Sequence, residues 1–179
     1  MVRAKHKKDR LDGLCQVGYC ASLKRYYVGV REHLIFTPAG DLVYVGQIAG
    51  NRNDVHGLYA LLATDFQGLL LADNGYWPNP EKRFELLDKG IRVLAQTRSN
   101  MKIQHDEDLA KWLRKRRGAI ERKIGLFDQH FNAGETICRS KKHYEARRLC
   151  KALAHNGSRY MNRALGKPID SLVHYHATA

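Results

Sequence analysis

Two acids in this chain stand where an oxygen ligand would be useful. Asp73 closes the apolar run Leu69-Leu70-Leu71-Ala72 and is followed by Asn74-Gly75-Tyr76. Four apolar residues ended by an acid and a glycine read as a buried strand whose last residue emerges at a sheet edge, because Asp is disfavoured inside strands and Gly breaks them. A carboxylate at such a tip suits a hard cation. The commoner job of a strand-end Asp is to cap the turn after it. The second acid, Glu121, lies in Arg117-Gly118-Ala119-Ile120-Glu121, among Lys111, Arg114, Lys115, Arg116, Arg122 and Lys123. A strand-end Asp and a helical Glu among cations point to divalent metal and phosphate together. The plainer role for Arg117 and Glu121 is an exposed i,i+4 ion pair worth about 0.2–0.5 kcal/mol.

The elements that must carry these residues follow from periodicity. Tyr26 to Ile48 alternates apolar and polar residues around Pro38-Ala39-Gly40-Asp41, which predicts a β-hairpin with Arg31 and His33 on one face. Asn53 or Asp54 caps a helix carrying Leu58, Leu61, Leu62 and Phe66. That helix leads into the Asp73 strand, and the crossover favours parallel pairing. Asn79-Pro80 starts a further helix that stops near Gly90, and Ile91-Arg92-Val93-Leu94-Ala95 is another strand. Apolar positions Leu109, Trp112, Leu113, Ile120, Ile124, Phe127 and Phe131 mark a helix over 106–131, roughly 39 Å if unbroken. Gly118 and Gly125 weaken it by about 1 kcal/mol each, so a bend or break is expected. Residues 143–165 read as one or two basic helices interrupted near Asn156-Gly157, and the stretch after Pro168 as loosely held.

The 179 residues suit one domain, and 44% apolar content supplies an ordinary core. Thirty-one Lys and Arg against eighteen Asp and Glu leave a formal charge of +13, which favours a polyanionic partner, nucleic acid first. No apolar run is long enough to span a bilayer, and the N-terminus lacks the apolar core of a signal peptide, so a cytoplasmic protein is expected. Cys15, Cys20, Cys138 and Cys150 suggest reduced thiols rather than a disulfide framework. Cys15 and Cys20 with His33 or His174-Tyr175-His176 match no compact zinc spacing. Residues 1–25, with Arg3, Lys5, Lys7, Lys8 and Arg10 ahead of Gly13, read as a basic arm.

The order of these pieces resembles the DDE transposases of bacterial insertion sequences, whose catalytic core is ribonuclease-H-like. The likeness runs from about Gly18 to Asn162. It rests on Gly18-Tyr19-Cys20-Ala21-Ser22, on Tyr27, Gly29, Arg31 and His33, on Leu70-Leu71-Ala72-Asp73-Asn74-Gly75-Tyr76, and on Arg117 with Ile120-Glu121. By this resemblance Asp73 and Glu121 are the second and third acids of a catalytic triad that ligates Mg²⁺ or Mn²⁺. Arg117 matches an arginine one turn before the third acid. The first acid, carried by relatives on a strand ahead of the Gly-Tyr-Cys segment, has no counterpart: Asp9 and Asp12 lie in a cationic stretch and Asp41 in the hairpin turn. Arg114 and Asp128 stand where some relatives have Tyr and Lys.

The resemblance implies an α/β fold, a mixed ribonuclease-H-like sheet flanked by helices and incomplete at its N-terminus, with the core over 26–165 and a tail over 166–179. It implies in-line phosphoryl displacement on DNA, in which two Mg²⁺ ions about 3.5–4 Å apart activate the attacking oxygen and stabilise the leaving one. Expected partners are insertion-sequence ends at the nucleoid, with no membrane, and a homodimer is left open. Lys111, Arg114, Lys115, Arg116, Arg122 and Lys123 are expected to meet DNA phosphates, with Lys141, Lys142, Arg147 and Arg148 extending that surface. The alternative is a non-catalytic basic nucleic-acid-binding module derived from a decayed transposase.

Overall fold

A computed structural model describes residues 11–20, 24–134 and 138–171. It divides into two compact units, one formed by 1–51 with 123–179 and the other by 52–122. The expected mixture of strands and helices is present, and among the described residues the strands pair within two sheets rather than the one expected. They form a three-stranded and a two-stranded sheet.

In the first unit, β1 (Gln16–Cys20), β2 (Arg25–Phe36) and β3 (Leu42–Ala49) pair antiparallel in that order. The hairpin of β2 and β3 matches the alternation in the sequence. Strand β1 lies within the stretch read as an arm, and Leu11 just before it is only 3% exposed. The more basic residues 1–10 of that arm lie outside the described residues. Gly18 is needed here because a Cβ would run into the Gly50 carbonyl and the Tyr27 ring. Tyr27 Oη in turn donates to Gly50 O at 2.8 Å, so Gly18 and Tyr27 serve packing. His33 does not line an open site: it is buried at 5% exposure.

Helix α4 (Lys141–Ala164) covers this sheet without the expected interruption. Its Ser140 cap accepts from His143 N at 3.3 Å. Asn156 does not end the helix, because its side-chain amide accepts from Leu42 N at 2.9 Å and donates to Leu42 O at 2.8 Å. That amide takes the place of a neighbouring strand at the start of β3. The core here is Leu42, Phe127 and Ala152, with Leu34, Phe36, Val45, Phe131 and Ala133 against it.

Charges inside this unit hold it together. Arg148, expected at a DNA surface, is instead 2% exposed. It pairs with Glu32 of β2, donates to Ala133 O and lies over the Phe127 ring, and burial pushes its pKa down to about 10. Tyr144 donates to the other Glu32 oxygen. Asp41 accepts from Arg163 at 2.8 Å and Arg159 at 3.1 Å, and these bonds, Arg163 first, hold its carboxyl below the usual range. Arg159 also pairs with Asp170, and Asn162 Nδ2 donates to Ile169 O and Ser171 O at 3.1 and 2.6 Å. The described residues after Pro168 are therefore tied down, not loose.

The second unit contains α1 (Val55–Tyr59), continued by a 3-10 turn over Ala60–Ala63 and so shorter as an α-helix than the apolar spacing suggested. Strand β4 (Gly68–Ala72), α2 (Pro80–Asp88) and β5 (Ile91–Ala95) then make a strand-helix-strand unit with β4 and β5 parallel in register. Asn79 caps α2 by accepting from Lys82 N at 2.9 Å. Gly90 ends the turn at φ +84°, a left-handed value that suits glycine. Leu58, Leu61, Leu70, Leu86, Ile91, Ala95 and Leu113 are its buried apolar residues. Helix α3 (Glu107–Phe131) is continuous through Gly118 and Gly125, and the division between the units falls within it, after Arg122.

Arg148→Ala strands Glu32 without its buried partner. It should cost about 3 kcal/mol and lower the melting temperature by roughly 6–12 °C for a chain of this size, read by circular dichroism. The His155 imidazole, 6% exposed, sits edge-on to Phe36, Phe127 and Phe131, and burial holds its pKa below the ordinary 6.5. The unfolded chain therefore takes up this proton first, so the stability is whole above pH 6.5 and falls as pH drops below it. The difference in melting temperature between pH 7.5 and 5.5 should shrink in His155→Gln.

Candidate functional site

The sequence places Asp73 at the end of β4 and Glu121 on α3, and both belong to the second unit. What joins them is Arg117. Its Nη1 donates to Asp73 Oδ1 at 3.2 Å and its Nε donates to Glu121 Oε1 at 2.9 Å. The hydrogen bond to Glu121, followed by the charge of Asp73, raises the guanidinium pKa above its ordinary value. One positive charge is thus shared by two acids far apart in the chain.

Local structure explains how each side chain arrives. Leu70 is buried at 9% while Leu69 is 62% exposed, so β4 is half-buried rather than fully buried. Asp73 leaves the strand extended and accepts from Asn74 N at 2.7 Å, capping the 3-10 turn Asn74–Tyr76. The turn-capping role and the ion-pair role coexist on Oδ1. Asp106 immediately precedes α3, and its Oδ1 accepts from Leu109 N at 2.9 Å. Its 3.6-residue repeat stacks Arg117 one turn before Glu121.

The side chains of Asp73, Arg117 and Glu121 are 40%, 46% and 60% exposed. Water therefore reaches all three, and each pair is worth at most about 1 kcal/mol. Among the described residues neither Asp73 Oδ2 nor Glu121 Oε2 takes a hydrogen bond. No group of three or more His, Cys, Asp and Glu able to hold a metal occurs among the described residues. Magnesium is commonly held by one or two carboxylates, with phosphate and water filling the remaining positions. Two carboxylates drawn to one positive charge fit that pattern.

The expected phosphate-binding cations fall in both units. Lys111, Arg114, Lys115, Arg116 and Arg122 are exposed on α3 in the second unit. Lys123 is half-buried in the first unit, its amino group beside Gly40. Lys142 and Arg147 are exposed on α4, and Lys141 lies 3.8 Å from Glu145. Arg148 leaves the set, for the reason given above.

Sequence reasoning missed two features. Arg116 lies over Trp112, 5.2 Å from the ring centre, a contact that their i,i+4 spacing permits. Asp54 makes no side-chain helix cap. Its carboxylate lies against Gly75 instead, 2.8 Å from where a Cβ would stand, and nothing in the sequence signals that contact.

Asp73→Asn keeps an oxygen for the turn and should leave the melting temperature nearly unchanged, whereas Asp73→Ala should cost about 0.5–1 kcal/mol in thermal melts. The comparison separates capping from charge.

A family model described as a transposase DDE domain matches residues 2–141, a span that includes Asp73, Arg117 and Glu121. No curated protein and no solved structure matches the chain. No helix among the described residues is long and apolar enough to cross a membrane. With the family's domain covering most of its length, the chain belongs to the transposase DDE domain family.

Proposed function

We propose that this chain carries the metal-dependent DNA cleavage and strand-transfer chemistry of an insertion-sequence transposase, with Asp73 and Glu121 as ligands for Mg²⁺ or Mn²⁺. Family membership makes DNA the substrate class. The observation that carries the reading is the convergence of both acids on Arg117. A strand end and a helix that share no neighbouring sequence present their carboxylates to the same cation.

A bound divalent cation would stabilise charge on the reacting phosphoryl oxygens. The protein's own part is positioning. Asp73 is anchored by the Asn74 N–H and Glu121 by the guanidinium one turn earlier, so both side chains are oriented before substrate arrives. The exposed cations of α3 offer charge to the DNA backbone without selecting sequence. The ribonuclease-H-like arrangement, the nucleoid location and action on element ends belong to this proposal.

A second reading, a non-catalytic basic DNA-binding module, is favoured by the absence of a third ligand among the described residues. Incubating the full chain with end-bearing duplex and Mn²⁺ discriminates the two. Nicking that drops by at least about a hundredfold in both Asp73→Ala and Glu121→Ala is the expected result. Nicking that survives both substitutions removes the assignment. DNA retention without nicking, weakening by orders of magnitude from low to moderate salt, supports the second reading.

A further inference from the structure

A guanidinium recognises phosphate bidentately through one of two edges, Nη1 with Nη2 or Nε with Nη2. In this structure Nη1 is committed to Asp73 and Nε to Glu121. The Nε–Nη2 edge has therefore lost one of its two donors, and the bond to Asp73 draws on one of the two N–H groups of Nη1. Arg117 cannot grip a phosphate through its whole Nε–Nη2 edge while it keeps Glu121, and two acids already counter its charge, yet it stands among Lys115, Arg116 and Arg122, a strongly cationic stretch of α3.

We propose that Arg117 is a place-holder cation whose release couples the two ligands of the site: once Asp73 and Glu121 turn to a divalent metal, the freed guanidinium edge takes a DNA phosphate. The inference rests on the metal reading above and adds a linkage to it. Asp73 and Glu121 lose the guanidinium as metal binds, and the guanidinium loses the acids as phosphate binds. Each ligand removes the competitor of the other. The coupling must then be reciprocal, metal tightening DNA and DNA tightening metal by the same factor. In the absence of both, the pairing keeps two neighbouring carboxylates from repelling each other across solvent.

The test measures Mn²⁺ affinity of the full chain by electron paramagnetic resonance, without DNA, for the wild type, Arg117→Ala, Arg117→Lys, Asp73→Ala and Glu121→Ala. Two exposed ion pairs set the scale of the competition, so Arg117→Ala should bind Mn²⁺ roughly three- to tenfold more tightly than wild type. Arg117→Lys keeps a charge but not the two-armed geometry, and should fall between them. Anisotropy of a labelled duplex, at matched ionic strength, should then show a gain in affinity on adding Mn²⁺ that is smaller by a similar factor in Arg117→Ala. Equal or weaker Mn²⁺ binding by Arg117→Ala, with wild-type binding lost in the two acid variants, overturns the place-holder role and leaves the ligand assignment intact. Wild-type Mn²⁺ binding that is absent, or unchanged in both acid variants, overturns the ligand assignment and the coupling with it. Because Arg117 is half exposed, melting curves should be nearly unchanged in its variants, which excludes unfolding as the cause.

Discussion

A single guanidinium between two carboxylates is the interaction on which the functional architecture turns. It demands that the residue just after β4 and the middle of α3 face one another, and much of the second unit secures that demand. Parallel pairing of β4 with β5 fixes the height of the strand end, and the capped helix α2 returns the chain between them. The Asn74 N–H then fixes the direction in which the Asp73 side chain leaves. On the helical side, Arg117 and Glu121 need only the regular repeat of α3. The arrangement is solvent-exposed and individually weak, so its precision comes from the backbone beneath it rather than from the strength of the ion pairs.

The strong positive charge of the chain is not all directed outward. Arg148 and Arg159 are nearly inaccessible and are spent on Glu32, Asp41 and Asp170. They clasp α4 to the sheet of the first unit, one at the middle of β2 and one at the hairpin turn. The exposed α3 cations have no comparable internal work. A lone charge count would merge these two populations, although only the second is available to a polyanion.

Hydrophobic spacing made the hairpin, α2, β5 and the long α3 legible, because each has a clear period and most have a recognisable cap or turn. Asp73, Arg117 and Glu121 were legible through their types and spacing, and their convergence through the family resemblance. Other features depended on partners distant in the chain. Asn156-Gly157 looks like a helix stop until the Asn amide is seen completing the edge of β3. Arg147 and Arg148 look alike in sequence, yet a rotation of about 100° around the helix sends one to water and the other to Glu32. Strand β1 follows a basic stretch and has little alternation of its own. It is supported by β2 and by the close approach allowed at Gly18. The separation into two sheets follows from strand pairing across the chain, which periodicity does not encode.

The first unit is assembled from two pieces of chain with the whole second unit between them. During synthesis, β1–β3 leave the ribosome well before α4, which supplies Asn156, Arg148 and Arg159 to them. At roughly 5–20 residues per second the hairpin waits several seconds for those partners. In that interval the second unit, being contiguous, can form its local strand-helix-strand contacts, while Glu32, Asp41 and the apolar face of β2–β3 remain uncovered. The order of synthesis thus lets the half bearing the acids form before the other half has received its last helix.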